Sequence, residues 1–187
     1  MTLYRNTLAE VNLEAFRHNL RIVKHLAGPN ATTMAILKAD AYGHGAVPCA
    51  RAALKEGINY FGVGIIQEGI ELRENGVSSP ILILGGINPD EIEDLIKFNL
   101  STSLSTLTLA KAISKKAEYA CKKVNVHIKI NTGMGRLGFN PEDFSCQLNG
   151  IMNNKYLNVE GLFTHLACAD EEDSEVTHNQ ISCFSNL

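Results

Sequence analysis

The sequence predicts an α/β fold in which consecutive strand–helix units build a parallel sheet. Short apolar runs alternate with amphipathic segments along most of the chain, and that order calls for helical crossovers between parallel strands. Ile81-Leu82-Ile83-Leu84 is an unbroken apolar run, as in a strand covered on both faces. Asn88-Pro89-Asp90-Glu91 and Asn140-Pro141-Glu142-Asp143 each combine a cap, a proline suited to the first helical position and acids in the first turn.

The elements follow in order. Leu8–Leu13 reads as strand-like, and Leu13, Phe16, Leu20 and Val23 then repeat at helical spacing behind Asn12, a candidate N-cap. A strand at 33–38 precedes a helix from about Ala46 to Glu56 and a strand at Tyr60–Ile65. A helix near 67–74 ends at Asn75-Gly76, a C-cap signal. The run at 81–84 is the next strand, with the helix started by Asn88-Pro89 behind it. Leu100–Leu104 is a weaker strand, followed by a helix over 106–120, a strand at Val124–Ile130 and the helix started by Asn140-Pro141. Val159–Leu166 is the last strand and 174–187 the last helix. Six β/α units result.

Composition narrows the function classes. The 187 residues suit one domain, and the net charge of −3 is spread without a basic stripe, which argues against nucleic acid. No apolar run approaches the ~20 residues of a membrane span. Met1–Asn6 has no apolar core or cleavage site of a secretion signal. The five cysteines form no Cys-x-x-Cys pair, so a reduced, cytoplasmic protein is expected. The acidic run Asp170–Asp173, flanked by His165 and His178, reads as a solvated loop, and no metal is expected.

The segment Ile36-Leu37-Lys38-Ala39-Asp40-Ala41-Tyr42-Gly43-His44-Gly45 is the most informative in the chain. It delivers one lysine to the end of a buried strand, where loss of water disfavours the ammonium form and makes a nucleophilic amine accessible. Such an amine can form a Schiff base with an aldehyde. The segment resembles, at every position, the pyridoxal-phosphate attachment segment of alanine racemases. The resemblance implies that Lys38 carries pyridoxal 5'-phosphate and that Tyr42 reaches the cofactor phosphate. His44 matches the pattern without an assigned chemistry.

A second segment, His127-Ile128-Lys129-Ile130-Asn131-Thr132-Gly133-Met134-Gly135-Arg136-Leu137-Gly138, has two readings. Gly133, Gly135 and Gly138 spell the Gly-x-Gly-x-x-Gly fingerprint after a strand, which makes an NAD(P)-dependent oxidoreductase the alternative. Against it, Asn140-Pro141 starts the helix beyond the last glycine, and Glu160 lies near the start of the following strand rather than its end. The segment also resembles a second alanine racemase signature. On that resemblance Arg136 serves the cofactor's phenolic oxygen and the substrate carboxylate. Lys129 matches a lysine that carries a carbamate in some members; an ordinary strand-end lysine is equally compatible. His165 is implied beneath the cofactor ring, although a satisfied core histidine reads the same way, and Leu84 is a candidate cofactor contact.

Six units fit either an open doubly wound sheet or a (β/α)8 barrel lacking two strands. The resemblance favours the barrel: residues 1–187 as an incomplete TIM-type, pyridoxal-phosphate-binding N-terminal domain, without the C-terminal β domain of such enzymes. The implied activity is interconversion of L-alanine and D-alanine for peptidoglycan. In the family a tyrosine from the partner subunit's C-terminal domain serves the opposite face of Cα, so a homodimer is expected for the complete enzyme. This chain alone is expected to be inactive or weakly active. A non-catalytic single-domain pyridoxal-phosphate protein is a further alternative, disfavoured by the Ala-Tyr-Gly-His-Gly continuation.

Overall fold

Leu13 begins the first helix because the Asn12 side chain accepts hydrogen bonds from the amides of Glu14 and Ala15, both at 3.0 Å. The computed structural model describes residues 7–187; Met1–Asn6, and with them the reading of a missing secretion signal, lie outside the described residues. Helix α1 spans Leu13–Ala27. Leu8–Asn12 forms no strand, because its backbone has no neighbouring strand to pair with and only α1 to cap. Of the four apolar positions expected to face the core, Leu20 is buried while Val23 is half exposed.

Six strands follow: β1 Ala35–Ile36, β2 Phe61–Val63, β3 Ile81–Ile83, β4 Ser101–Leu104, β5 Val124–Lys129 and β6 Leu157–Phe163. All pair in parallel and in sequence order, β1 to β6. Between them lie α2 (Lys38–Gly43), α3 (Ala46–Lys55), α4 (Ile66–Glu74), α5 (Ile92–Lys97, behind a 3-10 turn at Pro89–Glu91), α6 (Leu107–Tyr119) and α7 (Pro141–Met152), with α8 (Glu175–Ser185) last. The expected strand–helix alternation is therefore present. The proline-marked start at Asn88 is sealed by Glu91, whose carboxylate accepts from the Asn88 amide at 2.6 Å.

Register sorts the two faces of the sheet. The row Ala35–Phe61–Ile81 and the row Ile83–Thr102–Val126 lie on the helix side, where all but the buried polar Thr102 join one core with Leu72, Leu95 and Ile113. The row Ile36–Gly62–Leu82–Ser101 and the pair Ser103–His127 occupy the inner face. A Cβ on Gly62 would stand 2.6 Å from Ile36 Cδ1, so a glycine there lets the inner face close tightly. The arrangement is that of six units of an incomplete TIM-type barrel.

The connection after β1 departs from ordinary helical geometry. Ala39, Asp40, Ala41 and Tyr42 all have φ between 51° and 56°, a left-handed turn built without glycine. Each L-residue in that conformation costs roughly 1–2 kcal/mol, so the turn stores on the order of 4–8 kcal/mol. Local bonds hold it: the Ala41 amide donates to Leu37 O, the Gly45 amide to Asp40 O, and the Ala46 amide to Asp40 Oδ1 at 2.6 Å. A sign reversal follows. Ala112→Gly, in the right-handed α6, costs about 1 kcal/mol. Ala39→Gly at its exposed, left-handed position is expected to be neutral or stabilising by up to about 1 kcal/mol. Thermal unfolding of both variants checks this, and equal losses would sink it.

Candidate active site

Parallel strands bring all their C-terminal ends to one edge, and the chemistry-bearing residues gather there. Lys38 follows β1, Leu84 follows β3, Lys129 ends β5, Arg136 lies in the loop after it, and His165 follows β6. Lys38 is only half buried, with its Nζ 5.6 Å from the centre of the Tyr42 ring; Tyr42 is 59% exposed on the rim. The strongly desolvated lysine is Lys129, at 8% exposure, with its Nζ 5.5 Å from the Phe163 ring. Burial therefore falls on Lys129 and not on Lys38, where the strand-end position predicts it; the left-handed turn begins directly after Lys38 and leaves its side chain partly in water.

Electrostatics join four of these groups in one basin. Burial, then the cations of Arg136 and Lys38, push the Lys129 amine below a lysine's ordinary value. His165 is likewise pushed down, by burial first and then by Arg136, Lys129 and Lys38. Among the described residues, Lys38, Lys129 and Arg136 take part in no salt bridge. Among the described residues these three cations therefore have no carboxylate partner, the nearby Glu68 accepting from backbone amides instead.

The loop from Ile130 to Phe139 folds back on the end of β5. Phe139 donates to Lys129 O at 2.8 Å, and Asn131 donates to Phe139 O at 2.9 Å. Gly133, Gly135 and Gly138 have φ of 148°, 73° and 130°, so the glycines shape this closed loop. Helix α7 starts only at Pro141, leaving no helix amides at the glycine turn to receive a pyrophosphate. Glu160 lies within β6, its carboxylate 3.4 Å from Ser101 Oγ and 3.4 Å from His127 Nε2. Both findings overturn the dinucleotide alternative.

Beneath the basin, His127 Nε2 is 2.6 Å from the Tyr60 hydroxyl. Burial first, and then Glu160, hold the Tyr60 phenol up at about 12. Leu84 is half buried; its amide donates to Val63 O, and its carbonyl accepts from Ser103 Oγ at 3.3 Å. His44 Nδ1 lies 2.9 Å from Ala41 O and so belongs to the turn itself.

Two residues missed in the sequence hold the walls. Gln180, 1% exposed, donates to His165 O at 2.9 Å and Thr132 Oγ1 at 3.1 Å, and accepts from the Ala167 amide at 2.8 Å. It ties α8 to both the Arg136 loop and the His165 loop. Glu68 accepts hydrogen bonds from three backbone amides around Lys38. Burial of these groups is a tertiary property; in sequence each is one more polar residue on a helix, although Glu68 stands three residues after Ile65 in capping-box spacing.

Comparison with known proteins agrees with this geometry. Residues 11–187 match the family described as alanine racemase, N-terminal domain. An alanine racemase from Desulforamulus reducens is 43% identical over 183 residues, covering 94% of this chain and 48% of the relative. The structure of the Clostridium difficile 630 alanine racemase in complex with cycloserine superposes with a TM-score of 0.94 at 38% identity, covering 98% of this chain and 51% of that one. A histidine racemase from Leuconostoc mesenteroides subsp. sake shares the fold at a TM-score of 0.85 and 27% identity, covering 92% of this chain and 46% of that one. The chain spans about half the length of these proteins. On the match to its N-terminal domain and on these identities, this chain belongs to the alanine racemase family.

Proposed function

We propose that this chain is the cofactor-holding part of a pyridoxal-phosphate-dependent racemase that interconverts L-alanine and D-alanine. One observation carries the reading: Lys38, Lys129 and Arg136 gather at the strand ends, and among the described residues none of them is held in a salt bridge. A phosphate, a phenolic oxygen and an amino-acid carboxylate fit such a donor set. Lys38 would hold the cofactor through Nζ at its aldehyde carbon, and Tyr42 would reach the phosphate from the rim. Arg136 would donate to the phenolic oxygen and the substrate carboxylate, Leu84 would line the floor, and His165 would support the pyridine side. When bound, the pyridoxal group supplies an electron sink for the pair left at Cα. Lys38 Nζ would remove or return the Cα proton of the amino acid on one face. The opposite face requires a second base, which the resemblance assigns to the partner in a homodimer. The product, D-alanine, supplies peptidoglycan from the cytoplasm.

Mixing the chain with pyridoxal phosphate, reducing with borohydride and mapping the label tests the reading. Label concentrated on Lys38 and lost in Lys38→Arg is expected. In D2O the loaded chain is expected to exchange the Cα hydrogen of alanine faster than that of histidine. Label scattered over surface lysines, or faster exchange of histidine, overturns the reading.

The depressed Lys129 amine supports carbamylation. Its neutral nitrogen adds to CO2 and releases a proton, leaving an anion that can accept from Arg136. With 13C-bicarbonate, a carbamate resonance absent from Lys129→Ala and growing as pH rises is expected, because only the neutral amine reacts. Identical spectra for the two proteins would remove the carbamate from the proposal.

A further inference from the structure

Glu68 binds across the two loops that frame Lys38. Its Oε2 accepts from the amides of Gly64 at 2.7 Å and Ile65 at 3.2 Å, the entry to its own helix α4. Its Oε1 accepts from the Ala39 amide at 2.6 Å, 29 residues away in the chain. Ala39 is the first left-handed residue and directly follows Lys38. The entry into the strained turn is therefore fixed by a charged acceptor, and charge-assisted bonds of this kind are about twice as strong as neutral ones.

The geometry spares the amine. Glu68 makes no salt bridge with Lys38 among the described residues, so its charge acts on backbone amides and leaves Nζ unpaired. A Cβ on Gly64 would stand 3.3 Å from Glu68 Oε2, 3.4 Å from Lys38 Cβ and 4.0 Å from Lys38 Cδ, so carboxylate and lysine stem converge on one bare backbone point. Gly85 completes the contact: its amide donates to Gly64 O at 3.1 Å, joining the chain after β2 to the chain after β3, and a Cβ there would clash with that oxygen.

We propose that Glu68 is a positioning residue for Lys38: by clamping the Ala39 amide to the Gly64–Ile65 loop, its carboxylate fixes the direction in which the lysine leaves β1. This rests on the reading of Lys38 as the cofactor lysine. Glu68→Gln keeps the size but only one acceptor oxygen, and sets an N–H donor against an amide that needs an acceptor.

Three measurements test the proposal on the whole chain. In the unsubstituted protein the Ala39 amide, although its residue is exposed, is expected to exchange with D2O at least tenfold more slowly than an unprotected amide. Exchange at the unprotected rate overturns the clamp whether or not the variant folds. In Glu68→Gln the fraction of borohydride-fixed label on Lys38 is expected to fall severalfold. The visible circular dichroism per bound pyridoxal group, recorded before reduction, is expected to fall with it, a readout that loss of stability alone does not move. Label and dichroism unchanged in a folded Glu68→Gln chain overturn the positioning role alone. An unsubstituted chain that takes no label at Lys38 overturns the cofactor reading first, and the role of Glu68 with it.

Discussion

Gly138→Ala is expected to destabilise the chain by about 3–5 kcal/mol, read as a drop in the urea unfolding midpoint. Two independent causes add. At φ 130° an alanine is strained wherever it is placed. Its Cβ would also stand 2.6 Å from Asn131 N, 2.9 Å from Ile130 C and 3.0 Å from Lys129 O, all backbone atoms with no freedom to swing away. Those atoms belong to the closure in which Phe139 donates to Lys129 O and Asn131 to Phe139 O, so relieving the clash opens the loop that carries Arg136. The Arg136 cation then moves from Lys129 and His165, removing one cause of both depressed values. A loss under about 1 kcal/mol would show that the loop accommodates a side chain and that its glycine is incidental.

Gln180→Met, close in volume, is expected to cost about 2–4 kcal/mol. The methionine fills the space but leaves the Ala167 amide without its acceptor and His165 O without its donor. Thr132 Oγ1 keeps its 2.7 Å contact with Thr164 but loses the one from Gln180, so the Arg136 loop is loosened together with the His165 loop. Limited trypsin digestion separates the local effect from the global one. Cleavage after Arg136 is expected to rise severalfold under conditions where unfolding is negligible. Unchanged cleavage together with unchanged stability would mean that the buried amide is not what joins α8 to the two loops.

The order of elements was legible because local chemistry marked it. Asn12 caps α1 within three residues and Glu91 closes back on the Asn88 amide, whereas the Asn140 start rests on its proline and first-turn acids, since the Asn140 side chain makes no cap bond; the strands between them are mostly short apolar runs. Ends fixed by tertiary contacts were read less well. The last strand was expected at Val159–Leu166 and lies at Leu157–Phe163. The apolar run stops at Phe163, and Thr164 turns its hydroxyl to Ile130 O at 2.9 Å where the ladder ends.

The site divides in the same way. Lys38, Lys129, Arg136 and His165 stood out because motif and strand ends coincide. The left-handed turn did not, since Ala-Asp-Ala-Tyr contains no glycine and only Asp40 hints at positive φ. Gln180 and Glu68 act through amides far along the chain, 13 to 29 residues away. No local pattern carries that information, and it emerges only when the sheet has brought the loops together.

The strict β1-to-β6 order of the sheet has a kinetic consequence. Every strand finds its partner one helix away, so no early strand must wait for a late one before it is paired. Loop-closure entropy therefore stays small at each step. Growth can follow the direction of synthesis, each new unit docking on a finished edge. Pulsed hydrogen exchange on a ribosome-bound chain would then find β1 and β2 protected before β6 has left the exit tunnel; simultaneous protection of all six strands would instead mean that the sheet forms in one cooperative event.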